Sequence, residues 1–387
     1  MRVIHFATTS LMHKTFILPL ARYQRSQGID VELGCSDALP AGYQPAIAEL
    51  EHEGFKVRIV SFPYEIRPLQ DAVAVLKLWR FFRANRYDVV HSHTSKAGIL
   101  VRLAARLADS PVIVHTAYDF HFRQFRLGPK QAFFVWLERI AAWYTDVMLY
   151  STETIREAAV RHRIGGAEHG VVVGGPIADL ERFEASERDV ATLRGDLGLS
   201  RAEPVVACVS RLVDYKGIDT LLRAACLVVR EQPQVRFVIM GGGPLEERLR
   251  AMAGDLGLAD RIVFTGFRRD ERDVIRLLAL ADVFCLPTRR EGFGVAFAEA
   301  MAMGCPVVGP AIAPVTGVVA DGETGLLVRP EDDRAYAAAM LRLLGDPALR
   351  ARLGAAGKAH VRAQLDPRRM YAAVTATYAG SRRVRAA

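Results

Sequence analysis

Thr288-Arg-Arg-Glu291-Gly292-Phe293-Gly294-Val295-Ala-Phe-Ala-Glu299-Ala-Met-Ala-Met-Gly-Cys-Pro-Val-Val-Gly-Pro310 is the stretch whose reading decides the fold. Two carboxylates, Glu291 and Glu299, flank a glycine-rich turn and a short apolar helix, and a small turn then leads into a buried strand. Gly292 and Gly294 carry no side chain, so the backbone beside Glu291 can approach a ligand closely. If the span is mostly helical, the carboxylates stand roughly 12 Å apart, from a rise of about 1.5 Å per residue. A glycosidase pair sits closer, at about 5–9.5 Å. The wider spacing suits two hydroxyl-bearing groups joined by a diphosphate. Two solvated glutamates on a buried helix are the plainer alternative.

Short β-branched runs alternate with helical patterns on either side of this stretch. Strands are expected at Val3–Ala7, Val31–Cys35, Val57–Ser61, Asp88–His93, Pro111–Thr116, Val147–Ser151 and Gly170–Val173. A second series runs Val205–Ser210, Arg236–Met240, Ile262–Thr265, Val283–Pro287, Pro306–Val308 and Leu326–Val328. Most are nearly continuous apolar runs, as parallel strands covered on both faces require. Two such series imply an α/β chain of two Rossmann-like, doubly wound halves. The break falls near Val173-Gly-Gly-Pro176-Ile-Ala-Asp-Leu-Glu-Arg-Phe183. The expected domains are 1–178 and 179–366, with the last helix, Pro367–Tyr378, and the rest of 367–387 crossing back onto the first. Open α/β sheets bind ligands beyond the carboxyl ends of their strands, so the cleft between two such halves is the natural site.

At 387 residues and 51% apolar content the chain can bury two cores. A net charge of +8 suits an acidic ligand or an anionic surface, and suits a merely soluble arginine-rich protein equally. The five scattered cysteines carry no metal spacing and read as reduced core residues of a cytosolic protein. The segment from Met1 reads as a first strand rather than a signal peptide, and no apolar run is long enough to span a bilayer.

The strand Val205–Ser210 leads into Arg211-Leu-Val-Asp-Tyr-Lys216-Gly217. An arginine and a lysine bracketing a strand-to-helix turn make an anion clamp, strengthened by the positive helix end. Gly241-Gly-Gly243-Pro244 follows another strand and opens another helix, with Pro244 suited to its first position. Gly266-Phe267-Arg268 lies where a nucleotide base can be held. No G-x-G-x-x-G and no G-x-x-x-x-G-K-[ST] is present, against a nicotinamide enzyme and a P-loop protein. Nothing in the chain points to nucleic acid.

With Ser210-Arg-x4-Lys216-Gly, Gly241–Pro244, Ala281-Asp-Val-Phe-Cys-Leu-Pro, Glu291-Gly-Phe-Gly-x4-Glu299-Ala-Met-x-x-Gly-x-Pro-Val-Val and Asp321-Gly-Glu-Thr-Gly-Leu-Leu-Val in order, the chain resembles a GT-B retaining glycosyltransferase of the group 1 or family 4 type. The first half, with His91-Ser-His93-Thr-Ser-Lys96-Ala-Gly and the loop Thr8–Lys14, resembles members that build bacterial surface polysaccharides. The resemblance implies two Rossmann-like domains facing across a cleft and transfer from a UDP- or GDP-sugar to a glycan, lipid-linked or small-molecule acceptor. It implies that Arg211 and Lys216 hold the donor diphosphate, that Glu291 binds donor-sugar hydroxyls and that Glu299 binds the ribose. Gly241, Gly243, Arg268, Gly292, Phe293, Gly294 and Val295 are expected to complete the donor site, and the resemblance implies no metal and no cofactor.

Three departures stand out. Tyr118-Asp119 occupies a place where many relatives have His-Asp or His-Gly; Tyr118 still offers a hydroxyl, and His115 and His121 are nearby in sequence. Ala313-Pro314 replaces a common Gly-Gly, and Gly174-Gly175-Pro176 a linker Asn-Gly. Tyr118 and Asp119 are therefore counted with Glu291, Arg211 and Lys216 as candidate catalytic residues. A donor-binding subunit with weak or lost turnover is the alternative reading. On the acceptor side, His13, Lys14, His93, Lys96 and His121 are candidates, with His13, Lys14 and Lys96 expected at strand ends. Leu76–Arg83 and Arg123–Lys130 with Phe133–Trp136 mix apolar and cationic residues. Such patches suit a peripheral contact at the inner face of the plasma membrane; packing on the sheet is the favoured alternative.

Overall fold

A computed structural model of the chain describes residues 1–37, 45–125, 127–165, 170–175, 185–268 and 270–385. The chain forms two compact units, Met1–Ala178 with Pro367–Ala387, and Asp179–Asp366. The segment 176–184, which holds most of the expected break, lies outside the described residues.

The first unit is built on a seven-stranded sheet of β1 (Arg2–Phe6), β2 (Asp30–Cys35), β3 (Lys56–Ile59), β4 (Val89–His93), β5 (Val112–Ala117), β6 (Val147–Tyr150) and β7 (Gly170–Val172). Its order is β3-β2-β1-β4-β5-β6-β7, with every pairing parallel. The second unit holds β8 (Val205–Val209), β9 (Arg236–Met240), β10 (Ile262–Gly266), β11 (Val283–Cys285), β12 (Val307–Pro310) and β13 (Gly325–Val328). These are ordered β10-β9-β8-β11-β12-β13, again parallel. All thirteen expected strands are present among the described residues, with ends moved by at most two positions. Apolar side chains on both faces cause this: Val89, Val90, Val112, Ile113, Val114, Phe237, Val238 and Ile239 are all fully buried.

Because every strand is parallel, the carboxyl ends of each sheet share one edge, and the loops that follow them form one surface. The helices Ser95–Leu107 and Pro129–Trp143 of the first unit are tied by a buried ion pair, Arg102 to Glu138 at 2.8 Å. The final helix, Pro367–Arg385, sends Met370, Tyr371, Val374 and Tyr378 into the core that contains Val3, Leu20, Ala21 and Leu33. The last helix thus completes the fold of the first strands. All five cysteines are free, and four are buried.

Candidate donor site and a buried histidine network

In the second unit, the loops after β8, β9 and β11 are locked together by backbone contacts that only glycine permits. Gly217 adopts φ +67°, and an added Cβ would lie 2.0 Å from the Pro287 carbonyl oxygen. Gly241, at φ +140°, would place a Cβ 1.8 Å from the Ser210 carbonyl oxygen. Hydrogen bonds from Ser210 N to Met240 O (3.0 Å), Leu212 N to Gly242 O (3.0 Å) and Arg289 N to Tyr215 O (2.8 Å) finish the weave. Arg211 and Lys216 therefore stand on a rigid turn, and the helix Ile218–Glu231 starts directly behind it.

Lys216 Nζ donates to Glu291 Oε1, and the two side chains are only 15% and 11% exposed. The expected phosphate ligand and the expected sugar ligand are thus in direct contact. Arg211 is exposed and reaches the Tyr215 hydroxyl. Tyr215 is the hub: Arg290 lies 4.6 Å, Lys216 5.7 Å and Arg211 5.8 Å from its ring centre. Neither Tyr215 nor Arg290 was singled out by the sequence reading, although each sits beside a residue that was; only the fold brings the two together.

The helix expected between Glu291 and Glu299 covers half of that span. Residues 291–294 form a turn, Gly294 caps at φ +98°, and the helix runs Val295–Ala302. The 12 Å helical separation therefore does not apply. Gly292 and Val295 are half-buried, Phe293 and Gly294 buried, and Glu299 half-buried on the helix. Gly243 packs against the Leu212 carbonyl. The helix after this loop begins at Glu246, so Pro244 lies ahead of its first turn. Arg268 is exposed beside Asp273, at 4.0 Å, next to a half-exposed Phe267.

In the first unit the candidates separate. His13 and Lys14 are not at a strand end: they open a π-helical turn, His13–Ile17, within the first helical segment. His13 is fully buried with Nε2 bonded to Gly34 O at 2.7 Å, and Lys14 pairs with Glu49. Lys96 lies in the first turn of the helix Ser95–Leu107, held by Asp71 at 2.8 Å and the Pro63 carbonyl at 2.6 Å. These lysines are spent on intramolecular partners. His121 is exposed in a short 3-10 turn against Phe134. Asp119 accepts from Phe120 N at 2.9 Å and pairs with Arg123.

Tyr118 and His93 do meet. Tyr118 follows β5, His93 ends β4, and their rings stack with centres 5.9 Å apart and O to Nδ1 at 3.3 Å. Behind them lie His5 and His91, which are register partners on β1 and β4. The nitrogens of His5, His91 and His93 lie within 4.8 Å of one another, dense enough for a transition metal. Every one of those nitrogens nevertheless has a protein partner: Gln24 and His93 for His5, Tyr378 and Thr116 for His91, His5 and Tyr118 for His93. Burial pushes His5 and His13 down to about 4 and holds His91, His93 and His115 well below the ordinary imidazole value, so all five are neutral near pH 7.

The exposed patches of this unit are mixed. Leu78 and Phe82 pack into the core, as the packing alternative holds, while Leu69, Val73 and Leu76 on the same helix face solvent. Leu127, Phe133, Trp136 and Trp143 are exposed on and before the helix Pro129–Trp143; Arg126 of the second patch lies outside the described residues. Among the described residues no helix is long and apolar enough to cross a membrane.

The description "Glycosyl transferases group 1" matches residues 189–360, and "Glycosyl transferase 4-like domain" matches residues 13–175. The UDP-Gal:alpha-D-GlcNAc-diphosphoundecaprenol alpha-1,3-galactosyltransferase of Escherichia coli is 30% identical over 73% of this chain and 72% of its own length. The chain belongs to the group 1 glycosyltransferases. A second relative, the D-inositol 3-phosphate glycosyltransferase of Streptomyces avermitilis, is 32% identical to this transferase over 89% of the chain and 78% of the relative. Among solved structures, Anabaena HepE in complex with UDP and glucose superposes with a TM-score of 0.82 at 20% identity, over 98% of this chain and 99% of that one. WaaG, a glycosyltransferase involved in lipopolysaccharide biosynthesis, gives 0.74 at 17% identity, over 94% and 96%. The transferase therefore has the GT-B fold of its family.

Proposed function

We propose that the transferase is a retaining, metal-independent enzyme that moves a sugar from a UDP- or GDP-sugar to a glycan or lipid-linked acceptor during bacterial surface-polysaccharide assembly. The observation that carries this reading is the contact of Lys216 with Glu291 on the glycine-locked turn. Cleavage of the glycosidic bond adds negative charge to the departing diphosphate. In this reading Lys216, Arg211 and the start of the helix Ile218–Glu231 receive it and take a metal's part at that oxygen. Glu291, held by Lys216, keeps its second carboxylate oxygen for a sugar hydroxyl. Glu299, on the helix that follows, is the ribose ligand in this reading.

Retention is supported by the side chains at the ends of β4 and β5. A retaining reaction in which the leaving phosphate takes the acceptor proton needs no strong enzymatic base. His93 is neutral by burial, Asp119 is paired with Arg123, and Tyr118 stays protonated because burial raises it. The E. coli relative is named for a diphosphoundecaprenol acceptor. A lipid-linked acceptor would place the enzyme on the cytoplasmic membrane face, where exposed Phe133, Trp136 and Trp143 and nearby Lys130 suit an anionic surface.

A screen of UDP- and GDP-sugars, reading released nucleotide and the anomeric configuration of the product by NMR, tests the reading. Retained configuration in chelator-treated enzyme is expected. Inversion, or loss of activity restored by Mg²⁺ or Mn²⁺, would refute it. Donor binding without turnover on any acceptor would favour the donor-binding subunit instead. Arg211→Ala should lower turnover by about 10²–10³.

A further inference from the structure

The histidine network has a direction. Gln24 stands at its centre, with Oε1 2.7 Å from His5 Nε2 and Nε2 3.1 Å from the Tyr378 hydroxyl. One arm runs from Gln24 through His5 Nδ1 and His93 Nε2, 3.0 Å apart, to Tyr118. The other runs through Tyr378, 2.6 Å from His91 Nδ1, to Thr116, 2.7 Å from His91 Nε2. With neutral rings, each imidazole donates once and accepts once. Fixing the Gln24 amide therefore fixes every proton in both arms.

Thr375 fixes the amide. Its hydroxyl proton is used on the Tyr371 carbonyl at 2.7 Å, so towards Gln24 it can only accept. Gln24 Nε2 lies 3.4 Å from that oxygen. In this orientation both amide protons are used, one on Thr375 and one on Tyr378. A flipped amide would face its oxygen to the Thr375 oxygen and strand a proton, an unfavourable exchange in a buried network.

The rest follows link by link. Gln24 Oε1 accepts from His5 Nε2–H, and His5 Nδ1 accepts from His93 Nε2–H. His93 Nδ1 then accepts from the Tyr118 hydroxyl. In the other arm Tyr378 donates to His91 Nδ1, and His91 Nε2–H donates to Thr116. All three histidines carry their proton on Nε2.

We propose that Thr375 and Gln24 act as positioning residues that commit the Tyr118 proton to His93, so that Tyr118 meets the substrate as a hydrogen-bond acceptor only and selects a sugar hydroxyl in that place. This deepens the proposed function and rests on it, because it takes Tyr118 to touch substrate.

The test separates the two ideas. Long-range ¹H–¹⁵N spectra of the full-length, histidine-labelled enzyme read the tautomers whether or not the protein is active. His5, His91 and His93 should all appear as Nε2–H. Thr375→Val keeps the shape but removes the acceptor, and should shift His5 and His93 towards Nδ1–H; Thr375→Ser should restore the wild-type pattern. Transfer efficiency, kcat/KM, should fall about two- to tenfold in Thr375→Val and Tyr118→Phe with affinity for free UDP or GDP unchanged, the range of one neutral hydrogen bond. Nδ1–H tautomers in the wild type would overturn the proposal, as would tautomers unmoved by Thr375→Val. Stoichiometric Zn²⁺ shifting the three rings together would also overturn it, since a metal would take the lone pairs the network needs. Correct tautomers with unchanged Tyr118→Phe kinetics would instead remove Tyr118 from the substrate site.

Discussion

Glutamine at position 291 should make this enzyme bind free nucleotide more tightly while crippling transfer. Lys216 and Glu291 are in contact and mostly shielded from water. A charge-assisted hydrogen bond of this kind is worth about 1.5–3 kcal/mol. An arriving diphosphate must share Lys216 with the glutamate and must tolerate its negative charge. Two unit charges about 6 Å apart interact by about 3 kcal/mol at an effective dielectric of about 20. Lys216 itself offsets much of that, leaving about 1–2 kcal/mol. Glu291→Gln should therefore tighten UDP or GDP binding by about five- to thirtyfold. Lys216→Ala should weaken it by about ten- to a hundredfold, the worth of the lost charged contact. Calorimetric titration of the two single variants and the double variant gives the coupling directly. Should Glu291→Gln weaken nucleotide binding as much as Lys216→Ala does, the glutamate would be a nucleotide ligand and the division of labour would be wrong.

Acid should unfold the first unit before the second. Burial lowers His5 and His13 to about 4 and His91, His93 and His115 further, so the unfolded chain takes up more protons than the folded one. Stability is then fully present above the ordinary imidazole value of about 6.5 and is lost as pH falls towards 4, by up to about 1.4 kcal/mol per ring and pH unit. The second unit contains only His360, so calorimetry at pH 7 and pH 5 should show one transition falling steeply and one nearly fixed; two equal shifts would count against the assignment. Glu138→Ala strands Arg102, which is fully buried, and should cost about 3–5 kcal/mol in denaturant titrations. Gly217→Ala should abolish donor binding with the fold retained, because a Cβ there would meet the Pro287 carbonyl; wild-type affinity in that variant would deny the turn its role.

The strands were legible because each is a short apolar run, and apolar runs survive any error about what surrounds them. Arg236–Met240 was placed to the residue. The glycine-rich loops of the candidate donor site were legible as motifs, but their shape was not. The 12 Å spacing assumed a helix over most of the span from Glu291 to Glu299, and the left-handed Gly294 holds the helix start at Val295, four residues past Glu291. Lys14 and Lys96 looked free for a ligand because a sequence does not show Glu49 or Asp71 beside them. The histidine network was the least accessible. Its members come from β1, β4, β5 and the residue after it, the helix Leu18–Ser26 and the helix Pro367–Arg385, and the register of His5 against His91 and of His93 against Thr116 makes them neighbours. An excess of histidine on strands otherwise made of valine and isoleucine was the available hint.

The return of the final helix to the first unit has a consequence for synthesis. A ribosome releases the strands β1 to β7 long before it reaches Met370, Tyr371, Val374 and Tyr378, which the core around Val3 and Leu33 requires. The first half of the chain must wait, with that core open and Gln24 and His91 lacking their tyrosine, while the second unit, continuous from Asp179 to Asp366, can close on its own. The part made first is finished last. A transcript cut short near its end therefore yields a folded second unit tethered to an unfinished first one, and quality control would recognise such a product by its amino-terminal half.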